Sequence, residues 1–301
     1  MICGNVDMGS NTIRLSVYEV QKNEIQLLFH KKVTAGLAGY IEDEFLNQEG
    51  VDKACEVLHD FKKIWNSFHI SPVFVFATAS LRNIKNTQEV LESIKKETGI
   101  EVDVITGEEE ARLDFFGATY ELQLKEGLLI DIGGGSTELV DYQDARIIAA
   151  TSLPIGSLNM YSRFVQNLFP DKDEKKKIKD YILKEFAKHP EFFNKDIFHI
   201  CGVGGTVRST LKLQNSIYGY SGQNTIIHGE NIGKMIKLLQ TAKKNTYRTI
   251  LKTAPDRIHT ILPGMIILKA FITSFHVESI QVSKAGVREG YLYQKILQMA
   301  L

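Results

Sequence analysis

The sequence predicts an α/β protein built from two copies of one layout, and three observations carry that prediction. A short phrase occurs twice: residues 6–12 read Val-Asp-Met-Gly-Ser-Asn-Thr, and residues 130–137 read Ile-Asp-Ile-Gly-Gly-Gly-Ser-Thr. Each copy ends an apolar run on an Asp, passes through small residues and enters a second apolar run. Each half also opens on three strand-like segments, the first pair enclosing that phrase. Helix-like and strand-like segments then alternate. A duplication near residue 125 accounts for all of this, with domains at 1–124 and 125–301 and the last helix, 288–299, free to pack back on the first domain. A chain of 301 residues is long enough for two cores.

In the first half, residues 2–7 and 12–20 read as strands around the first turn, and 24–33 as a hairpin partner. Val51, Cys55, Leu58, Phe61, Trp65 and Phe68 recur every three or four residues, the spacing of one helix face, over 50–68. Residues 73–77 are a β-rich apolar run, Ser80 starts a turn, 87–96 is helical, 101–105 is a strand and 108–122 is a helix. In the second half, 128–131, 138–142 and 146–152 are strands, and helices follow at 156–168 and 173–188. A strand over 197–203 leads into Gly202-Val-Gly-Gly-Thr206. Helices at 207–213, 229–241, 246–251 and 264–274, a strand at 280–283 and a helix at 288–299 complete the chain. The dense charge run at 172–180 reads as a solvated helix face.

Lys plus Arg and Asp plus Glu both number 36, so the net charge is zero. That balance excludes a broad nucleic-acid surface and leaves room for a local basic cleft. No apolar run approaches the ~18 residues of a membrane span, and the N-terminus enters a strand without a secretion-signal pattern. Cys3, Cys55 and Cys201 are odd in number and widely spaced, as reduced thiols are, and lack zinc-ligand spacing. A cytoplasmic protein is expected.

Asp7 and Asp131 hold matching places in the two copies. An Asp at a strand end commonly starts a turn. Two in matching places point further, because a turn without bulky side chains lets N–H groups approach an anion while the rim carboxylate holds a cation. Glu138 faces solvent or joins a Mg²⁺ site, an ion that takes one or two carboxylates plus phosphate oxygens and water. Gly9, Ser10, Asn11, Gly133, Gly134, Gly135, Ser136 and Thr137 form the candidate phosphate cradle. It is not a Walker A loop, since no Lys-Ser/Thr follows, and not a dinucleotide fingerprint, since both turns lead into strands. Gly204, Gly205 and Thr206 open a helix whose N-terminus binds a further phosphate or packs tightly on its strand. Thr106 and Glu109 have capping-box spacing, and Glu108 and Glu109 suit the helix dipole. Glu110 does the same, or orients and deprotonates a water. Arg82, Arg112, Arg208 and Arg288 lie beside loops or helix starts, where Arg grips phosphate bidentately or makes surface ion pairs. The eight His have no metal-ligand spacing, and no Ser has a G-x-S-x-G context.

Six motifs follow one another from residue 7 to residue 290: Asp7-Met-Gly-Ser-Asn-Thr-Ile-Arg-Leu15, Gly107-Glu-Glu-Glu-Ala-Arg112, Ile130-Asp-Ile-Gly-Gly-Gly-Ser-Thr-Glu-Leu139, Gly202-Val-Gly-Gly-Thr206, Leu262-Pro-Gly264 and Val287-Arg-Glu-Gly290. Together they resemble the exopolyphosphatase/guanosine pentaphosphate phosphohydrolase (Ppx/GppA) family. The resemblance implies two ribonuclease-H-like domains of the actin-like, sugar-kinase superfamily, flanking a phosphate cleft. It implies metal-dependent hydrolysis of the terminal phosphoanhydride of inorganic polyphosphate, with guanosine pentaphosphate as the alternative substrate. A phosphotransferase, or a non-catalytic sensor of polyphosphate or guanosine tetraphosphate, are the other readings. On the same resemblance Glu110 would be the general base. Asp131 and Glu138 would hold Mg²⁺ or Mn²⁺, with Asp7 near the metal. Ser10, Asn11, Gly133, Gly134, Gly135, Ser136, Gly204, Gly205 and Thr206 would cradle phosphates, and Arg82 would contact the substrate chain. The partners expected are polyphosphate or guanosine pentaphosphate, no nucleic-acid polymer and no membrane, with a homodimer left open. Two departures stand out. On the resemblance a short two-domain form is expected, where many members carry a further helical region, and Lys284-Ala285-Gly286 stands where the family often has Asp-x-Gly.

Overall fold

A computed structural model describes residues 1–21, 24–193, 197, 200–241 and 243–299. The chain divides into two units, Met1–Glu110 with Arg288–Leu301, and Ala111–Val287. The division falls after Glu110 rather than at residue 124. Its cause is the packing of Ala111, Phe115 and Ala118 with Leu129, Val140, Tyr142, Cys201 and Val203 in one buried cluster.

In the first unit β1 (Ile2–Met8), β2 (Thr12–Gln21) and β3 (Glu24–Thr34) form an antiparallel meander. A two-residue hairpin of β4 (Ile41–Glu42) and β5 (Phe45–Leu46) precedes α1 (Gln48–Ser67). Asn47 caps α1, its side chain accepting the Gly50 N–H at 3.0 Å. β6 (Val73–Ala77) then pairs parallel to β1, and α2 (Ala79–Arg82), α3 (Thr87–Thr98) and the short β7 (Asp103–Val104) follow. α4 (Gly107–Glu121) leaves the unit. The strand order is β3-β2-β1-β6-β7. Strand alternation sends Val6, Met8, Ile13 and Leu15 to the face where Val51, Leu58 and Phe61 of α1 bury them. Cys3 and Tyr18 point to the opposite face and pack on Leu292 of the C-terminal helix.

The second unit repeats the plan. β8 (Gly127–Ile132), β9 (Thr137–Gln143) and β10 (Arg146–Leu153) form its meander, followed by α5 (Ser157–Phe164) and α6 (Lys172–Phe186). β11 (Ile200–Val203) pairs parallel to β8 and runs into α7 (Gly204–Tyr218). Then come β12 (Ile226–His228), α8 (Gly229–Thr241), α9 (Lys243–Thr253), α10 (Ile261–Phe275), β13 (Ser279–Val282) and α11 (Val287–Met299), the C-terminal helix. The order β10-β9-β8-β11-β13 matches the first sheet strand for strand, and β12 adds an outer edge. α10 is buried along nearly its whole length and anchors the core.

Several bounds differ from expectation for physical reasons. α7 begins at Gly204 and runs to Tyr218, not over 207–213, because the N–H groups of a first helical turn need no partner within the helix. α10 begins at Ile261 rather than 264, since Pro263 sits in the first turn, where its missing N–H costs nothing. α5 stops at Phe164, four residues early, where Val165 turns extended. β12 is three residues long and carries no alternation to read. Residues 198 and 199 of the strand expected over 197–203 lie outside the described residues.

Candidate active site

The second unit's turn between β8 and β9 is shaped from beneath by the first residues of α5. The Gly133 carbonyl accepts from the Ser157 N–H at 2.9 Å and the Ser157 Oγ at 3.0 Å. The Gly134 carbonyl accepts from the Leu158 and Asn159 N–H groups at 2.9 and 3.1 Å. The Gly135 carbonyl accepts from Asn159 Nδ2 at 2.7 Å. In a planar trans peptide a carbonyl and the next N–H point in opposite directions. Three carbonyls held by α5 therefore turn the N–H groups of Gly134, Gly135 and Ser136 away from it, in the arrangement that receives an anion.

The first unit uses the same device. Gly9 N–H closes its turn on the Thr12 carbonyl at 3.0 Å, as Gly133 N–H does on the Ser136 carbonyl at 2.9 Å. The Ser10 and Asn11 carbonyls accept from the Ala38 and Gly36 N–H groups at 3.0 and 2.9 Å. That leaves the Asn11 and Thr12 N–H groups aimed the other way. The Ser80 hydroxyl donates to the Met8 carbonyl, which docks α2 against this turn.

At the end of α2, Arg82 Nη1 donates to Glu110 Oε2 at 2.7 Å and to the Ile105 carbonyl at 3.2 Å. Thr106 and Glu109 form the expected reciprocal cap, at 2.7 and 3.1 Å, so Glu109 serves the helix end. Glu110 points instead to Arg82 and is buried. The two neighbouring glutamates thus differ in their partners, Glu109 on the backbone of its own helix end and Glu110 on Arg82.

Asp131 and Glu138 are directly opposite each other on β8 and β9, and both are buried. Ser152 Oγ donates to Glu138 Oε1 at 2.7 Å. Like charges at directly opposed positions, with Cβ atoms about 5 Å apart, repel and destabilise a sheet, a repulsion that a bound cation would relieve. Gly204 lies against Asp131 with φ +82°, and a Cβ there would fall 1.8 Å from Asp131 Oδ1. Beside it, a Cβ on Gly205 would fall 2.0 Å from Arg257 Nη2. Arg257 Nη1 donates to Thr206 Oγ1 at 3.4 Å. Burial holds the Arg257 guanidinium below its ordinary pKa, opposed by the charges of Asp256 and Asp131. The glycine-lined space at two carboxylates, beside a strip of backbone donors, fits Mg²⁺ shared with phosphate oxygens. Among the described residues no group of three or more His, Cys, Asp or Glu is arranged as an all-protein metal cage.

In the second unit the structure thus brings together Asp131, Gly133, Gly134, Gly135, Ser136, Glu138, Gly204, Gly205 and Thr206. In the first it brings together Asp7, Ser10 and Asn11 at the β1–β2 turn, with Arg82 and Glu110 beyond α2. Asp7 is opposite Arg14, not a second carboxylate. Arg208 is used elsewhere, donating to the Lys284 carbonyl at 3.1 Å. Arg257 is the residue that sequence reasoning misses, because it stands alone after Pro255-Asp256 with no motif around it.

Comparison with known proteins gives the family and the fold. The family model of the Ppx/GppA phosphatase family matches residues 16–299. A bifunctional 3-dehydroquinate synthase/phosphatase of Fusobacterium nucleatum is 28% identical over 295 residues, 93% of this chain; the chain spans 44% of that protein's length. Exopolyphosphatase 1 of Mycobacterium tuberculosis is 24% identical over 306 residues, covering 98% of this chain and 88% of that one. The crystal structure of the Aquifex aeolicus member of the Ppx/GppA family is 27% identical, with a TM-score of 0.81 over 100% of this chain and 99% of that one. The α/β architecture of two ribonuclease-H-like domains expected from the sequence is the fold they share. With the family model matching almost end to end, this chain belongs to the Ppx/GppA phosphatase family.

Proposed function

We propose that the chain is a metal-dependent phosphohydrolase that releases the terminal phosphate of inorganic polyphosphate. The observation that carries this reading is the β8–β9 turn, where backbone donors turned outward adjoin two buried, opposed carboxylates. Positioning and charge neutralisation are most of what phosphoryl transfer requires, and no covalent nucleophile is needed. When bound, Mg²⁺ or Mn²⁺ at Asp131 and Glu138 would supply neutralisation of the phosphate oxygens.

The chain's own groups do the rest. The N–H groups of Gly134, Gly135 and Ser136 and the N-terminus of α7 at Gly204 to Thr206 hold and orient phosphate. Arg257 adds a fixed positive charge at Thr206. In the first unit Asn11 and Thr12 present N–H groups to phosphate. Glu110, its carboxylate oriented by Arg82, takes the proton of the attacking water. The names of the mycobacterial and related proteins support polyphosphate as substrate. Among the described residues no helix is long and apolar enough to cross a membrane. The three buried, unpaired thiols support a cytoplasmic setting.

Phosphate release by the purified protein with Mg²⁺ tests this, comparing tripolyphosphate, long polyphosphate and guanosine pentaphosphate, which offers the same terminal group. Release from polyphosphate is expected. Release from guanosine pentaphosphate alone would transfer the assignment to that substrate, and tight binding without release from any would replace it by the sensor reading.

A further inference from the structure

We propose that the second unit carries a further ligand site, in the cavity between residues 167–171 and the helices α6, α8 and α9, and that it takes a nucleoside phosphate, the base on Tyr247 and the phosphate on Lys172 and Lys175. The cavity measures about 400 Å³, within the range of small-molecule sites, about 300–1,000 Å³. None of the residues lining it belongs to the site around Asp131. One wall is aromatic. Phe169, packed on the core of the unit, and Tyr247 of α9 stack with ring centroids 5.4 Å apart and planes 21° from parallel, and Tyr247 is 37% exposed. An aromatic face backed by a second ring and open to the cavity receives a planar base.

The other wall is cationic. Lys172 and Lys175 stand one turn apart on α6 and line the cavity together. Lys175 Nζ donates to Gln240 Oε1, and Gln240 Nε2 donates to the Pro170 carbonyl at 2.8 Å. The ammonium is thus held in place with two of its three protons still to donate. Burial lowers the Lys175 pKa below its ordinary value; Asp171 opposes this, and the charges of Lys172 and of Lys269 on α10 add to it. The carboxylates nearest in sequence are committed to the helix end. Asp171 Oδ1 accepts from the Asp173 and Glu174 N–H groups at 2.9 and 2.8 Å, and Glu174 accepts from the Gln166 and Asp171 N–H groups at 3.0 and 2.9 Å. Among the described residues no carboxylate pairs with Lys172, Lys175 or Lys269. A phosphate between Lys172 and Lys175 supplies the acceptor they lack and relieves their mutual repulsion. Lysines alone hold any anion; the aromatic wall beside them selects one that carries a ring.

Equilibrium dialysis of the wild-type chain against radiolabelled ADP and GDP, with EDTA to keep metal from the carboxylates of the other site, tests this. Binding of one nucleotide per chain is expected, and unlabelled pyrophosphate should displace it only at concentrations at least about fivefold higher than unlabelled nucleotide, the margin of one stacked base. Tyr247→Ser should weaken nucleotide binding by at least about fivefold, and Lys175→Met by at least about tenfold, as loss of a hydrogen bond to a charged group does. Asp131→Asn should not weaken it. No bound nucleotide, affinities unchanged in both pocket variants, displacement by pyrophosphate as readily as by nucleotide, or loss of binding in Asp131→Asn each overturns the inference; should Tyr247→Ser not fold, Lys175→Met and the pyrophosphate displacement decide. Phosphate release from tripolyphosphate with Mg²⁺ should be the same in Lys175→Met as in the wild type. Release lost in Lys175→Met would place that lysine in the hydrolytic site and overturn the inference, whereas a wild type that releases nothing overturns the hydrolase reading and leaves the dialysis result standing.

Discussion

Arg82 Nη1 lies 2.7 Å from Glu110 Oε2, and the two side chains are only 16% and 10% exposed. A carboxylate so held has one oxygen committed to the guanidinium and its plane fixed, which leaves the other oxygen with a defined direction. Glu110→Gln keeps the shape and removes the proposed base. We expect kcat for phosphate release to fall about 10²–10⁴-fold with KM within a few-fold. An unchanged kcat would take the role of base away from Glu110. Arg82→Ala should also lower kcat, because the carboxylate loses its orientation, and Arg82→Lys should recover part of it as a point charge without the planar fork.

Gly204 gives a second expectation. Its φ of +82° disfavours any L side chain, and a Cβ there would meet Asp131 Oδ1 at 1.8 Å. Gly219, which ends α7 with φ +70°, has nothing within 4 Å of such a Cβ. Gly204→Ala and Gly219→Ala therefore share the backbone strain, about 1–3 kcal/mol, and differ in the collision with Asp131. Both should lower Tm, and only Gly204→Ala should lose Mn²⁺ affinity by more than about tenfold. Equal affinities in the two variants would disconnect Gly204 from the site.

How much of this was open to a reader of the sequence follows from what each residue depends on. Asp131 and Glu138 are legible because a tight turn between two strands brings residues seven apart face to face, so local spacing determines the pair. Glu110 needs more than spacing. Only the capping of Thr106 by Glu109 and the reach of Arg82 separate it from its neighbours. Arg257 is illegible, because its place on Gly205 is set by the packing of distant segments. The same holds for the grip of Ser157 and Asn159 on the glycine turn, which depends on where α5 docks and not on any motif. The division after Glu110 escapes as well, because α4 reads as one uninterrupted helix while its residues from Ala111 onward pack with the second sheet.

The loop from Ser283 to Val287 carries a third expectation. Lys284-Ala285-Gly286 stands where the resemblance leads one to expect Asp-x-Gly, and in this chain two carboxylates of α4 hold the loop. Glu121 Oε2 accepts from Ser283 Oγ at 2.8 Å and from the Lys284 and Ala285 N–H groups at 2.6 and 2.9 Å. Asp114 Oδ1 accepts from the Val287 N–H at 2.7 Å. Hydrogen bonds to a charged group contribute about 1.5–3 kcal/mol. Glu121→Ala should therefore lower Tm by about 3–12 °C at about 2–4 °C per kcal/mol. A Tm within 1 °C of wild type would mean that water replaces the carboxylate at no cost.

The C-terminal helix gives the last expectation, and its sign is fixed by pH linkage. Asp103 accepts from the Tyr291 hydroxyl at 2.5 Å and pairs with Lys295 at 2.7 Å, which ties α11 to β7. Burial pushes the Asp103 carboxyl up. The hydrogen bonds from Lys295 and Tyr291 and the Lys295 charge outweigh it, so its pKa lies below the ordinary value. A depressed carboxylate stabilises the folded state at pH above its unfolded value, about 3.9, and that contribution is lost as pH falls through the folded value. The carboxylate side chain is 52% exposed, so solvent screening keeps the effect small, below about 1 kcal/mol. Asp103→Asn should thus melt slightly below wild type from pH 6 to 8. The gap should close on acidification below about pH 4, where the native carboxyl takes up its proton and the two proteins become alike. A gap that stays constant from pH 3 to pH 8 would show that packing of the side chain, rather than its charge, ties the helix down.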